Sequence, residues 1–383
     1  MKQSLLIVFI LTFNLICDNV FSQENYFRTN NDLINFYKVN NRYEPAKNKL
    51  FLDIENANFI KNNEYFNNYY PGYTLIGYYL KPEITYSPGD RVNLRAGFHL
   101  LKYSGLDNFS QKTPIFSIEL KLNKRTDLII GTLKGNIQHN LPEPLYQFER
   151  LYTSNVENGI QLLYNSLRIN SDIWLNWQKF INKGDPFQEE LIFGNMTNIN
   201  VFNFHNSFFI NIPFYAVVSH KGGQIDSSDK SMQTLVNLAS GISFRKKMDS
   251  RFLKSINLDG LYYTYNDISP NPYLNYENGQ AFNMDIGIQT SHFKLSAGYW
   301  NSNKFFSPLG EPLFQSIISD DDTYYEARKQ IFTAKLIYNK KIKEYLFAGL
   351  RFEQYYDLNN NNYDFSFGIY LIFKNQFLLK KLR

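Results

Sequence analysis

The stretch RVNLRAGFHL, Arg91 to Leu100, alternates without a break. Val92, Leu94, Ala96, Phe98 and Leu100 fall on one face, and Asn93, Arg95, Gly97 and His99 on the other. A period of two is the signature of a half-buried strand, because successive side chains leave opposite faces of the backbone. The pattern recurs along the chain. In IFSIELKLN (Ile115–Asn123), Phe116, Ile118, Leu120 and Leu122 oppose Ser117, Glu119, Lys121 and Asn123. In LRINSDIWLNWQ (Leu167–Gln178), Ile169, Ile173, Leu175 and Trp177 oppose Arg168, Asn170, Asp172 and Asn176. AFNMDIGIQ (Ala281–Gln289) and YDFSFGIYLIFK (Tyr363–Lys374) repeat it. Several of these runs have the length that a tilted strand needs to cross a bilayer, about 9 to 11 residues.

The composition agrees with strands that are greasy on one side and polar on the other. Tyr 29 and Phe 34 dominate an aromatic content of 17%, while mean hydropathy is only −0.38. The continuous apolar strands of an α/β enzyme are missing. The net charge of +5 is modest, and the basic residues form no stripe, so no nucleic-acid partner is expected. MKQSLLIVFILTFNLICDNVFSQ reads as a secretory signal peptide over residues 1–22. Lys2 gives the positive end, Leu5 to Ile16 the apolar core, and Val20 and Ser22 the cleavage positions. Cys17 follows the bulky Ile16, which disfavours lipid attachment there. Cys17 is the one cysteine, so its removal with the signal would leave no disulfide and no thiolate chemistry. Residues 23–49 read as a polar extension, 50–374 as a single barrel domain, and 375–383 as a basic C-terminal tail.

The connections sort into two sets. Short turns are predicted at 87–90, 123–126, 165–167, 246–251, 290–292 and 340–343, and near 203–207. Longer segments lie between them at 61–73, 104–113, 137–158, 181–186, 219–233, 267–279, 302–329 and 357–362. Short periplasmic turns alternating with long outer loops are the mark of outer-membrane barrels. The strand tally is about 16, within a range of 14 to 18. In its signal peptide, repeated strands, loop asymmetry and aromatic last strand FSFGIYLIF (Phe365–Phe373), the chain resembles Gram-negative outer-membrane β-barrels of the porin-like kind. That resemblance implies an all-β, transmembrane, antiparallel barrel in the bacterial outer membrane, with lipid and small hydrophilic solutes as its partners. It also implies a passive diffusion channel. The chain departs from the class at its end, where KNQFLLKKLR follows Phe373 in place of a terminal aromatic. A barrel that binds another envelope protein is the alternative, and a barrel-embedded hydrolase a third reading.

Arg95, Glu119, Lys121, Arg168, Asp172, Asp285, Arg351 and Glu353 fall on polar faces and are predicted to line the pore. Because both signs mix, ion selectivity should be weak. No G-x-S-x-G, H-E-x-x-H or phosphate loop is present, so the sequence predicts no enzyme, no catalytic residues and no cofactor. His139 precedes Glu143 by four residues and lies near Glu149 and Ser154, which gives the hydrolase reading its only candidate. SDDDTYYE (Ser319–Glu326) clusters carboxylates without calcium-loop spacing, and no metal site is assigned. One element occurs twice, LPEPLYQ at Leu141–Gln147 and LGEPLFQ at Leu309–Gln315. On the strand count the two copies belong to outer loops half a circumference apart. They are therefore predicted to face each other across the mouth, with Glu143, Tyr146, Glu311 and Phe314 as candidates for a constriction.

Overall fold

The computed structural model describes residues 47–135, 139–223, 225–318 and 325–382. The signal peptide, nearly all of the N-terminal extension and the three aspartates of the acidic loop lie outside the described residues. Sixteen strands follow one another: β1 (Lys49–Glu64), β2 (Tyr73–Gly89), β3 (Val92–Tyr103), β4 (Gln111–Lys121), β5 (Thr126–Thr132) and β6 (Asn158–Asn165). They continue with β7 (Ile169–Lys179), β8 (Glu189–Phe204), β9 (Phe208–Gly222), β10 (Gln233–Lys247) and β11 (Leu253–Asp267). The last five are β12 (Asn278–Thr290), β13 (Phe293–Asn303), β14 (Arg328–Lys343), β15 (Leu346–Asp357) and β16 (Asn362–Lys381). Each pairs antiparallel with its neighbours in sequence, and β16 closes on β1, so the sheet has no free edge. Closure is what lets strands stand in hydrocarbon, where an unpaired edge is costly.

The alternation sets which face is which. Phe98 is 57% exposed on the outside of β3, while His99 beside it is fully buried. On β16, Phe367, Ile369 and Leu371 face out and Asp364, Ser366 and Tyr370 face in. The seven turns on one rim are two to five residues long, and the connections on the other rim reach 25 residues. Both ends of the described chain lie on the short-turn, periplasmic rim. The strands overrun the sequence reading by several residues. Residues 375–381, read from sequence as a basic tail, are the end of β16, which stays paired with β1 as far as Lys381 opposite Lys49. Phe377, Leu378 and Leu379 are all exposed there, beside a register shift between Leu50 and Phe51 of β1.

Two outer connections turn inward over their described residues. Residues 133–135 and 139–157, between β5 and β6, and residues 304–318, after β13, fold into the barrel. Leu145 and Tyr146 from the first, and Phe305, Leu313 and Phe314 from the second, join Trp174, Trp300, Tyr263 and Tyr355 of the wall in one buried cluster. A second cluster packs Phe148, Leu151 and Tyr152 against Phe59, Tyr79 and Tyr370. Glycines start the first inward turn. Gly131 and Gly159 are register partners at the outer ends of β5 and β6, and both have positive φ, 95° and 155°. A side chain at either position would strike the neighbouring strand's backbone. A kink of this kind re-aims the chain that follows it.

Candidate functional site: a polar network beneath two inward loops

The two copies of the Glu-Pro-Leu-aromatic-Gln element touch inside the barrel, which corrects the expectation that they oppose each other across an open mouth. The Glu311 N–H donates to the Glu143 carbonyl at 2.8 Å, and the Gln147 N–H donates to the Leu309 carbonyl at 2.7 Å, so the two segments run antiparallel. Gln315 ties them further, donating to the Pro144 carbonyl at 3.2 Å and to the Glu311 carbonyl at 3.0 Å, while its own oxygen accepts the Ser307 N–H. Glu311 has extended backbone, φ −62° and ψ 123°, as a residue before proline prefers. The copies differ at two positions, and one of the differences has a visible reason. Where the first has Pro142 the second has Gly310, and a methyl group there would collide with the carbonyl of Pro144.

Three ionic clusters surround this bridge. In the first, Glu143 is paired with Lys335 and Arg351, and Arg351 also binds Glu353 at 2.8 Å. Lys335 lies 3.2 Å from Glu353, and the Arg351 guanidinium covers the Phe148 ring at 4.1 Å. In the second, Glu149 accepts from Lys61 and Asn63, each at 2.6 Å, and from Tyr73. The third centres on His139, which is fully buried. Its Nδ1 lies 2.9 Å from Asp172 and its Nε2 lies 2.6 Å from Glu157. Tyr146 donates to the other oxygen of Glu157, and Gln161 donates to Asp172. The imidazole stacks on Trp174 at 3.5 Å.

These surroundings decide the charge states. Burial alone would push His139 down, but the flanking Glu157 and Asp172 outweigh it and hold the imidazole up at about 9. It is therefore a cation at neutral pH, with both nitrogens donating. Burial likewise works against ionised Glu149 and Glu157, and their cationic partners, Lys61 and His139, bring both below the usual carboxylate range. Glu311 differs. Burial pushes it up to about 8, and Lys61 offsets this only in part. Its nearest hydroxyl is that of Tyr65, at 3.4 Å. Within this network Glu311 is a carboxyl that exchanges its proton near neutral pH, as an acid–base group must.

Of the eight residues assigned to the pore wall, Asp172, Arg351 and Glu353 are buried in these clusters. Arg95 pairs with Glu83 at 3.1 Å and Glu119 with Lys134 at 2.7 Å, while Asp285 is half-buried on β12. Lys121 and Arg168 are exposed at the periplasmic ends of β4 and β7; alternation puts them on the polar face but past the end of the lumen. Tyr146 and Phe314 pack in the central cluster, and Glu143 and Glu311 lie between wall and loop. His139 sits deep in the barrel and not on the outer rim. Glu157, Glu149, Lys61 and Lys335 complete the clusters. Sequence reasoning put Lys335 on the polar lumen wall without a partner, and it did not single out Glu157 or Lys61. No local motif marks these two, because Lys61 meets Glu149 across 88 residues and Glu157 meets His139 only through the fold of the inward loop.

The closed sheet, the apolar outside and the charged inside define an outer-membrane β-barrel with a porin-like fold. Over residues 40–382, which include every strand and both inward loops, the chain matches the family of Lipid A 3'-O-deacylase-type proteins, and it belongs to that family. The match overturns the sequence-based expectation that the chain is no enzyme, since the family is one of enzymes. No curated protein matches the chain. Among solved structures it is similar to a loop-deletion mutant of OmpT, an outer membrane protein of Vibrio cholerae. Identity is 8%, 85% of this chain and 100% of that chain are covered, and the TM-score is 0.51. It is also similar to the outer membrane protein OprD of Pseudomonas aeruginosa, with 8% identity, 86% and 94% coverage and a TM-score of 0.48. At such identities the likeness concerns the fold.

Proposed function

We propose that this protein removes an ester-linked acyl chain from lipid A or a closely similar acylated glycolipid of the outer leaflet. The observation that carries this reading is the family match over residues 40–382, which takes in the barrel and both loops of the polar network. In the reaction water adds to the ester carbonyl, the bond from the acyl carbon to the sugar oxygen breaks, a fatty acid leaves and the sugar oxygen takes up a proton. Such a step needs a group that accepts and returns a proton, and the raised Glu311 carboxyl supports giving it that role. Asp172 bound to Nδ1 of His139 at 2.9 Å is the contact by which a carboxylate orients an imidazole. With Glu157 on the other nitrogen, His139 acts here as a positioning cation. The test is mass spectrometry of lipid A after incubation with the purified barrel. Loss of the mass of one acyl chain is expected, and unchanged lipid A would refute the reading.

The second reading is passive diffusion of small hydrophilic solutes, favoured by the charges of both signs on the inner wall. The two loops crossing the interior oppose a wide pore. Channel events in planar bilayers, with lipid A left intact, would favour this reading over the first.

A further inference from the structure

The barrel wall is not equally high all the way round. β5 has seven residues and β6 has eight, while a bilayer-spanning strand needs about 9 to 11. At about 3.3 Å per residue and a tilt of about 40°, seven residues rise roughly 18 Å, less than the apolar band of roughly 25 Å. The neighbours stand taller. β4 pairs with β5 only from Ser117 to Lys121, leaving Gln111–Phe116 without a strand on that side. β7 pairs with β6 only up to Asn176, leaving Trp177–Lys179 likewise. Pro114 lies on this open stretch of β4. The Phe116 N–H points across the gap to Thr132 at 3.2 Å, and Pro114, two residues back, faces the same way with no N–H to offer.

The notch so formed has an apolar outside and a polar lip. Phe98 and Phe116, at 57% and 58% exposure, and Trp177 and Phe180 stand on its flanks. Along the lip Thr132 donates to Asn158 at 2.9 Å, and the Asn158 N–H donates to Asn176 at 3.2 Å. Behind it, Gln111 donates to the carbonyl of Thr153 in the first inward loop at 2.6 Å. The loop that carries His139, Glu149 and Glu157 therefore lies directly behind the lowest stretch of the wall.

We propose that this notch is the side entrance by which an acyl chain of an outer-leaflet lipid reaches the polar interior. The inference rests on the deacylase reading for its occupant, and on the short strands and polar lip for its place. A substrate held in the membrane need not leave it: the chain slides in over β5 and β6 towards the apolar cluster around Trp174 and draws its ester past Thr132, Asn158 and Asn176 into the interior, while the sugar stays at the lip.

The chain has three tryptophans, and two of them make the test. Trp174 and Trp300 both face inward and are buried, the first beside the notch on β7, the second across the barrel on β13. Variants keeping one of them, W177F/W300F and W174F/W177F, are placed in vesicles of phospholipid brominated on the acyl chain. Both indoles are buried on the inner side of the wall, and reading each as the ratio of its intensities in brominated and plain lipid cancels the effect of His139 stacked on Trp174, which leaves access from the membrane as the quantity compared. Quenching of Trp174 at least about twofold greater than that of Trp300 is expected; equal or weaker quenching overturns the entrance. Should a tryptophan variant fail to fold, a bimane label on T153C, compared with one on N283C on the far wall, reads the same quantity. Neither readout needs hydrolysis. Selective quenching with intact lipid A removes the deacylase reading alone, and deacylation without selective quenching removes the entrance alone.

Discussion

Glu143 and Glu311 occupy the same place in two copies of one motif, and their backbones are hydrogen-bonded to each other. Yet Glu143 is clamped by Lys335 and Arg351, whereas Glu311 has the Tyr65 hydroxyl at 3.4 Å and is raised to about 8. One carboxylate is held between two cations and anchors its loop to β14 and β15. The other is free to change charge. Chemistry in this interior is thus assigned by what the opposite wall presents, and not by the motif.

The comparison breaks first at Arg351. Its removal, as R351M, leaves Glu143 with Lys335 alone and strips Glu353 of its closest cation, and loss of one partner of a buried pair typically costs about 3–5 kcal/mol. A loss of that size is expected in the unfolding midpoint, read by heat-modifiable migration on a gel. A loss under about 1 kcal/mol would show that the clamp is solvated. E311Q sharpens the contrast from the other side. A carboxyl raised from 4.5 to about 8 favours the protonated fold, so wild type is penalised increasingly as pH rises from about 4.5 through about 8. The neutral amide escapes the penalty. The variant should match wild type at pH 4 and exceed it at pH 9 by on the order of a few kcal/mol; E143Q should show no such gain.

Smaller effects follow. G310A forces a methyl group against Pro144 and should cost about 1–3 kcal/mol by overpacking, while alanine at the exposed Gly105, where a side chain meets open space but φ is positive, should cost less. His139 works with the opposite sign to a depressed carboxylate. Its folded value, about 9, lies above the unfolded 6.5, so its stabilising contribution is complete below pH 6.5 and fades as pH rises through about 9. H139Q should flatten that part of the pH–stability curve.

Much of the barrel was legible in the sequence. Period-two runs such as Arg91–Leu100 and the alternation of short and long connections place the strands, their number and both rims. The interior was not, for physical reasons. Where the first inward loop leaves the wall, Gly131 and Gly159 pair across the two strands, a contact invisible in either segment alone. The partners of Glu143 lie 192 and 208 residues away, and periodicity gives the face of a residue but not its neighbour. The absence of a local nucleophile motif pointed away from an enzyme, while the family likeness is spread over the whole barrel.

The most direct test is fatty acid released from lipid A by the purified wild-type barrel and by E311Q under the same conditions. The account predicts release by the wild type, rising with pH through about 8, and a loss of at least about 100-fold in E311Q. Equal release by the two would contradict it.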